Sequence, residues 1–325
     1  MEETINQSRI DLGQFSAQIE QLRERIASVI VGQHQAVDLI LTAILADGHV
    51  LLEGVPGVAK TLLARMTARL VDARFSRIQF TPDLMPSDVL GTTVFNMKTS
   101  EFDFHQGPVF ADVVLVDEIN RAPAKTQAAL FEVMEERQVS IDGTTHRMGD
   151  LYTIIATQNP VEQEGTYKLP EAQLDRFLLK VVMGYPSEDE EVEILQRHQT
   201  NVRHAKLDGI QPIITRNQLL QLRRMMHLVL VDSSLLRYIA QIVQQTRTSR
   251  AVYLGASPRA AVAMLQCSKA YALLQGRDFV TPDDIKTVTP SVLQHRIMLN
   301  AEAEMQGHTV TKLVQTLIDK VEVPK

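Results

Sequence analysis

Eight consecutive residues constrain this chain more than any others: Gly54-Val55-Pro56-Gly57-Val58-Ala59-Lys60-Thr61, directly behind the apolar run His49-Val50-Leu51-Leu52. A short apolar run bounded by glycines reads as a buried parallel strand, and residues 61–71 have helical spacing. A glycine-rich turn between such a strand and such a helix aims backbone N–H groups and a helix N-terminus at one point, where phosphate oxygens bind. The run is a near match to G-x-x-x-x-G-K-[ST], in which the lysine reaches the terminal phosphates and the hydroxyl reaches Mg²⁺. Gly54, Gly57, Lys60 and Thr61 fill those places. Ala59 stands where the general motif has glycine; its methyl group costs little on helical backbone and is strained at positive φ.

Further along, Val113-Val114-Leu115-Val116 ends in Asp117-Glu118. At the C-terminal edge of a buried strand, Asp117 is placed to hold Mg²⁺ through its water shell and Glu118 to polarise an attacking water. Ile154-Ile155-Ala156-Thr157-Gln158-Asn159 is a second strand ending in polar residues, with Asn159 positioned to orient that water. Two arginines complete the set. Arg259, in Ser257-Pro258-Arg259, is expected to reach the γ-phosphate of its own subunit; Arg176, in Leu174-Asp175-Arg176-Phe177, has to act on a neighbour's nucleotide and so requires an oligomer.

Helical patterns at 15–29, 33–46 and 124–136 interleave with strand patterns at 76–80, 111–116, 152–156 and 178–183. That alternation predicts an α/β layer with a parallel sheet. From Pro186 onward the pattern is helices only. Ser187 precedes the acidic first turn Glu188-Asp189-Glu190-Glu191, and Ser257-Pro258 and Thr281-Pro282 repeat a capping residue followed by proline. The expected division is therefore a nucleotide-binding core at 1–186 and a helical lid domain at 187–325.

Composition narrows the function classes. The chain of 325 residues carries a net charge of -6 and no basic run interleaved with aromatics, which argues against nucleic acid as the partner. Its single cysteine, Cys267, cannot form an internal disulfide and lies in an apolar helical stretch, so it reads as a buried small hydrophobe. Met1-Glu2-Glu3 leads into no apolar segment, and nowhere do roughly 18 apolar residues follow one another; no membrane insertion and a cytoplasmic location are expected. The nine histidines are scattered without a His-x-x-x-His pair, and no zinc site is assigned. Met225-Met226 and Met298 with Met305 read as lid core.

Taken together, the loop at 54–61, Asp117-Glu118-Ile119-Asn120-Arg121-Ala122-Pro123, Ala156-Thr157-Gln158-Asn159-Pro160 and Leu169-Pro170-Glu171-Ala172-Gln173-Leu174-Asp175-Arg176-Phe177 resemble the MoxR family of AAA+ ATPases, as does Glu162-Gln163-Glu164-Gly165-Thr166-Tyr167. The resemblance runs from about Val31 to the segment around Arg259 and Thr281, and Ala59 is usual in that family; Lys168 departs from it, where proline is expected. It implies a P-loop AAA+ parallel-sheet core followed by an all-α lid, with ATP and Mg²⁺ as cofactors and a hexameric ring as the active form. Val31 and Gly32 would border the adenine. Val55, Pro56, Val58 and Leu62 would complete the nucleotide-binding set with the loop residues. Lys60 and Thr61 would hold phosphate and Mg²⁺, Asp117 would support the metal, and Glu118 would activate water. Asn159 would be the first sensor, Arg176 the arginine finger and Arg259 the second sensor. It also implies an insert at 90–110 and a hairpin at 139–145, the latter with Asp142-Gly143 as its turn, both on the surface that meets a substrate. The expected activity is chaperone-like remodelling or maturation of a protein client, such as one with a von Willebrand factor A domain. The alternatives are a magnesium-chelatase-like subunit driving metal insertion and a DNA-acting AAA+ motor.

Overall fold

In the computed structural model, which describes residues 12–160, 166–199 and 209–324, the chain opens with helices α1 (Gly13–Ala27) and α2 (His34–Leu45). The apolar residues of α1 at three- and four-residue spacing, Ile19, Leu22 and Ile26, are its buried stripe. Strand β1 (Val50–Gly54), helix α3 (Lys60–Leu70) and strand β2 (Phe75–Gln79) follow. Next come a short α4 (Pro86–Leu90) and a hairpin of β3 (Gly91–Asn96) and β4 (Glu101–Gln106). Strand β5 (Val113–Asp117) leads through a 3₁₀ turn at Ile119–Arg121 into α5 (Ala124–Glu136), and β6 (Gln138–Ile141) pairs with β7 (Thr144–Arg147) as a second hairpin. Strand β8 (Thr153–Gln158), a one-turn α6 (Glu171–Leu174) and β9 (Leu179–Met183) complete this half. Most of the segment 162–167 lies outside the described residues.

Five of these strands form one parallel sheet in the order β2-β5-β8-β1-β9. Successive side chains point to opposite faces of a strand, and burial follows that rule. Val50, Leu52, Val113, Leu115 and Ile155 join the core shared with α1, α2 and α3, whereas Leu51, Val114, Val116, Ile154 and Ala156 join the core shared with α4 and α5. Helices on both faces explain why the strands read as unbroken apolar runs.

Beyond β9 lie α7 (Glu188–Gln199), α8 (Arg216–Leu228), α9 (Ser233–Thr248), α10 (Pro258–Leu274), α11 (Pro282–Leu293), α12 (Ala301–Met305) and α13 (Val310–Asp319). The expectation of helices only needs correction. Strands β10 (Val252–Leu254) and β11 (Met298–Leu299) pair antiparallel within this half, and segments this short leave no periodic signal. The lid does not stand apart: α10 lies on α2, and Ala260, Met264 and Cys267 belong to the same apolar core as Ile40 and Ile44. Burial pushes the Cys267 thiol up to about 12, so it packs as a hydrophobe, as expected. Met226 is likewise buried, but Met305 is 83% exposed and is not core. Helix α7 has no buried residue. No helix of the described residues is long and apolar enough to cross a membrane.

Candidate active site

The phosphate loop leaves the C-terminal end of β1. A Cβ on Gly54 would come within 2.6 Å of the Met183 carbonyl at the end of β9, so only glycine lets these two strand ends close. Gly57 has φ 91, and Ala59 has φ 62 and ψ 23. Ala59 is therefore left-handed rather than helical, a conformation that costs an L-residue roughly 1–2 kcal/mol. It stands immediately ahead of α3, whose first residue is Lys60. Val58 is buried, while Val55, Ala59 and Leu62 pack partly buried against the core, fixing the loop to the sheet. The Lys60 ammonium donates to the Gly54 carbonyl across the loop at 2.5 Å.

The acids stand beside it. Asp117, the last residue of β5, is 5% exposed. The Thr61 hydroxyl lies 3.4 Å from each of its carboxylate oxygens. The Thr157 hydroxyl donates to Oδ1 at 3.1 Å, and Arg77 Nε donates to Oδ2 at 2.6 Å. Glu118 is itself left-handed, with φ 57 and ψ 51, and its N–H donates to the Thr157 hydroxyl at 3.0 Å. Backbone of this kind concentrates at functional sites because the surroundings must enforce it. The Glu118 carboxylate accepts from Gln79 Nε2 at 2.7 Å and pairs with Arg121 Nε at 3.2 Å. Asn159, 7% exposed, stands one residue past the end of β8. A hydroxyl and a buried carboxylate meeting at the first turn of a helix form the donor set that suits a hydrated Mg²⁺, so the chain's own residues fit the nucleotide–metal pair the loop calls for.

Arg77, Gln79 and Thr157 were not singled out from the sequence. Arg77 and Gln79 alternate along β2 and so share one face, and Arg77 also donates to Gln79 at 2.8 Å. The available signal was two polar residues two apart in a strand next to the one bearing Asp117.

The two arginines are not at this end of the sheet. Arg259 Nη2 donates to Glu135 at 3.2 Å; Arg176 lies 3.8 Å from the same carboxylate and donates to the Phe131 carbonyl. Glu135 is near the C-terminus of α5, which returns from the Asp117 end toward the strand N-termini. A cavity of about 590 Å³ there is lined by Arg176, Arg259, Asp47, Gly48 and His49. Arg259 thus does not approach its own phosphate loop, contrary to expectation. The docking of α10 on α2 leaves its first turn at the opposite end of the strands, beside Gly48 and His49. Gly32 (φ 69) sits against the Glu190 carboxylate, and Gln33 donates to the Gly184 carbonyl at 3.1 Å, so Val31 and Gly32 border the exit of β9.

Residues 49–179 match the family model of the "ATPase family associated with various cellular activities (AAA)", and residues 244–317 match the AAA lid domain. The chain is 48% identical over 301 residues to the uncharacterized protein YeaC of Bacillus subtilis, covering 93% of each chain. It is 44% identical over 309 residues to the chaperone MoxR1 of Mycobacterium tuberculosis, covering 92% of this chain and 81% of that one. The crystal structure of a candidate ATPase from Cytophaga hutchinsonii superposes with a TM-score of 0.87 at 41% identity, covering 96% of both chains. With a parallel sheet, a helical lid and these relatives in agreement, the chain belongs to the MoxR family of AAA+ ATPases.

Proposed function

We propose that this chain hydrolyses ATP with Mg²⁺ and couples the hydrolysis to remodelling or maturation of a protein client. The observation that carries this reading is the convergence of Thr61, Asp117, Glu118 and Thr157 beside the loop at 54–61. ATP binds with its phosphates on the loop N–H groups and Lys60, and Val31 and Gly32 border the base. Thr61 and Asp117 hold the metal, which when bound neutralises charge on the phosphates. Glu118 takes the proton from water, and Asn159 orients that water. Replacing Glu118 by Gln keeps the loop and the metal donors but removes the base. Its expected outcome is nucleotide affinity close to wild type with turnover lower by about 10²–10⁴-fold. A variant that hydrolyses normally assigns the base elsewhere.

The working form is a hexameric ring. The five residues of β1 rise about 16 Å, and the loop sits at one end of that span with Arg176 and Arg259 at the other. Both arginines therefore serve the nucleotide of the next subunit, a role that replaces the own-subunit reach expected for Arg259. Replacement of Arg176 by Ala is expected to lower turnover in assembled protein by about 10³-fold while leaving ATP binding intact. Loss of binding instead places Arg176 in its own subunit's site. The client surface is the pair of hairpins. Phe104 of β4 stacks on His146 of β7 at 4.1 Å, which joins them, and Phe95, Met97 and Phe102 are 49%, 85% and 72% exposed at the outer hairpin. Exposed apolar residues grouped in this way fit a protein partner, of which a von Willebrand factor A domain is one candidate. Pull-down with Glu118→Gln held in Mg-ATP tests this; capture of no protein by the assembled ring goes against a client.

A further inference from the structure

Arg223 on α8 is buried to 8% exposure at the end of the sheet opposite the phosphate loop. Its Nε donates to the Ile44 carbonyl at 2.8 Å, and its Nη1 donates to the Asp150 carbonyl at 2.9 Å and to Asp47. Its Nη2 is buried and meets no acceptor among the described residues. An unsatisfied donor on a buried cation is costly, and burial also draws the guanidinium below its usual range. Arg223 lines a cavity of about 450 Å³ with Arg224, His227, Gln266, Asp150 and Asp47. Asp47 is already shared between Arg137 and Arg223.

Arg224 and His227 of the lining are exposed, and Leu228 and Leu230, just beyond His227 in the chain, are 64% and 47% exposed. The cavity shares Ala46, Asp47 and Gln266 with the one holding Arg176 and Arg259, so both open on one face.

The opposite face carries the complement. Helix α7 begins five residues after Met183, which abuts Gly54, and Glu190 in its first turn lies against Gly32. Glu188, Asp189 and Glu191 are exposed there. Val192 and Leu195, one helical turn apart, are 46% and 68% exposed. Among the described residues nothing buries this apolar pair fully, although such a stripe is the face a helix ordinarily packs against a partner.

A head-to-tail ring brings two different faces of the same chain together. We propose that the acidic first turn of α7 in one subunit docks into the cavity of Arg223, Arg224 and His227 in the next. Val192 and Leu195 lie against Leu228 and Leu230, and the carboxylates of the acidic turn face the exposed Arg224 and His227. The inference rests on the ring reading, which seats the phosphate-loop face against the arginine face, and it adds the contact that selects this pairing. Complementary charge at such a seam sets register and specificity.

The test is assembly of the full chain in Mg-ATP, followed by sedimentation across a concentration series. Asp189→Arg with Glu191→Arg, and separately Arg224→Glu, are each expected to raise the concentration for half-assembly by about tenfold or more. Joining the two sets in one chain restores it to within about threefold. These side chains are exposed, so melting temperatures near wild type are expected. Where a reversed variant melts low, the neutral set Asp189→Asn, Glu191→Gln and Arg224→Gln replaces it, with the same direction of effect. Reversed variants that assemble like wild type overturn the docking and leave the ring standing, as does failure of the combination to restore assembly. Normal rings whose cavity instead takes an acidic client peptide, lost on Arg224→Glu, assign it to the client and also overturn the docking. A wild-type chain that forms no ring removes both readings.

Discussion

Asp117 is approached by a hydroxyl from α3, a hydroxyl from β8 and a guanidinium from β2. Arg77, half exposed, occupies one oxygen of the carboxylate that a Mg²⁺ shell would use. The cation and the guanidinium compete, so Arg77→Gln is expected to lower the Mg²⁺ concentration for half-maximal turnover by about threefold. An unchanged or raised requirement would show that Arg77 orients Asp117 instead. His49 illustrates a different residue-scale effect. Its Nδ1 accepts from the Ile154 N–H at 3.0 Å and its Nε2 lies 3.2 Å from the Met134 carbonyl, so the ring is neutral, and burial pulls its pKa from 6.5 to about 4. His295 shifts in the same direction for the same reason. The unfolded chain takes up the proton first as pH drops. The contribution is therefore complete above pH 6.5 and is lost on descending toward about 4; for His49 it amounts to about 3 kcal/mol. Thermal midpoints should hold level above that window and fall within it, and His49→Asn should be less stable throughout but lose less across the window. Equal slopes would remove His49 as the cause.

At the scale of elements, the chain announces most of itself. The strand runs near 50, 113, 154 and 179 could be read because both faces of the sheet are covered, and α5 occupies the predicted 124–136. The hairpin at Asp142-Gly143 was equally legible, with both turn residues at positive φ, 49 and 78. Gly143→Ala strains that turn by about 1 kcal/mol, so amide protection in β6 and β7 should fall about fivefold; undiminished protection would mean the hairpin is held by its neighbours. What stayed hidden has a common physical origin. Whether Ala59 is helical or left-handed depends on how α3 seats against the sheet. Which phosphate Arg259 faces depends on α10 lying along α2, a contact between segments more than 200 residues apart that no local pattern encodes. Arg77 and Gln79 were overlooked because two polar residues on a strand also suit a solvated edge, and only the neighbouring β5 gives them partners.

For the whole molecule, one apolar core runs from the sheet through α2 into α10 and α11. Two halves joined in this way should melt together, in a single calorimetric transition whose calorimetric and van't Hoff enthalpies agree. Two resolved peaks would show that the lid unfolds alone. Ile40, fully buried in that shared core, should cost about 2–5 kcal/mol when cut to alanine, without splitting the transition. The placement of Arg176 and Arg259 at the far end of the sheet from Lys60 also has a genetic consequence. A polypeptide crippled at Lys60 would still be a competent donor, and one crippled at Arg176 a competent recipient. Mixed in equal amounts, two dead proteins should recover activity at about a quarter of their junctions, the random frequency of the productive order. In a cell carrying both alleles, each defect would then be partly covered by the other.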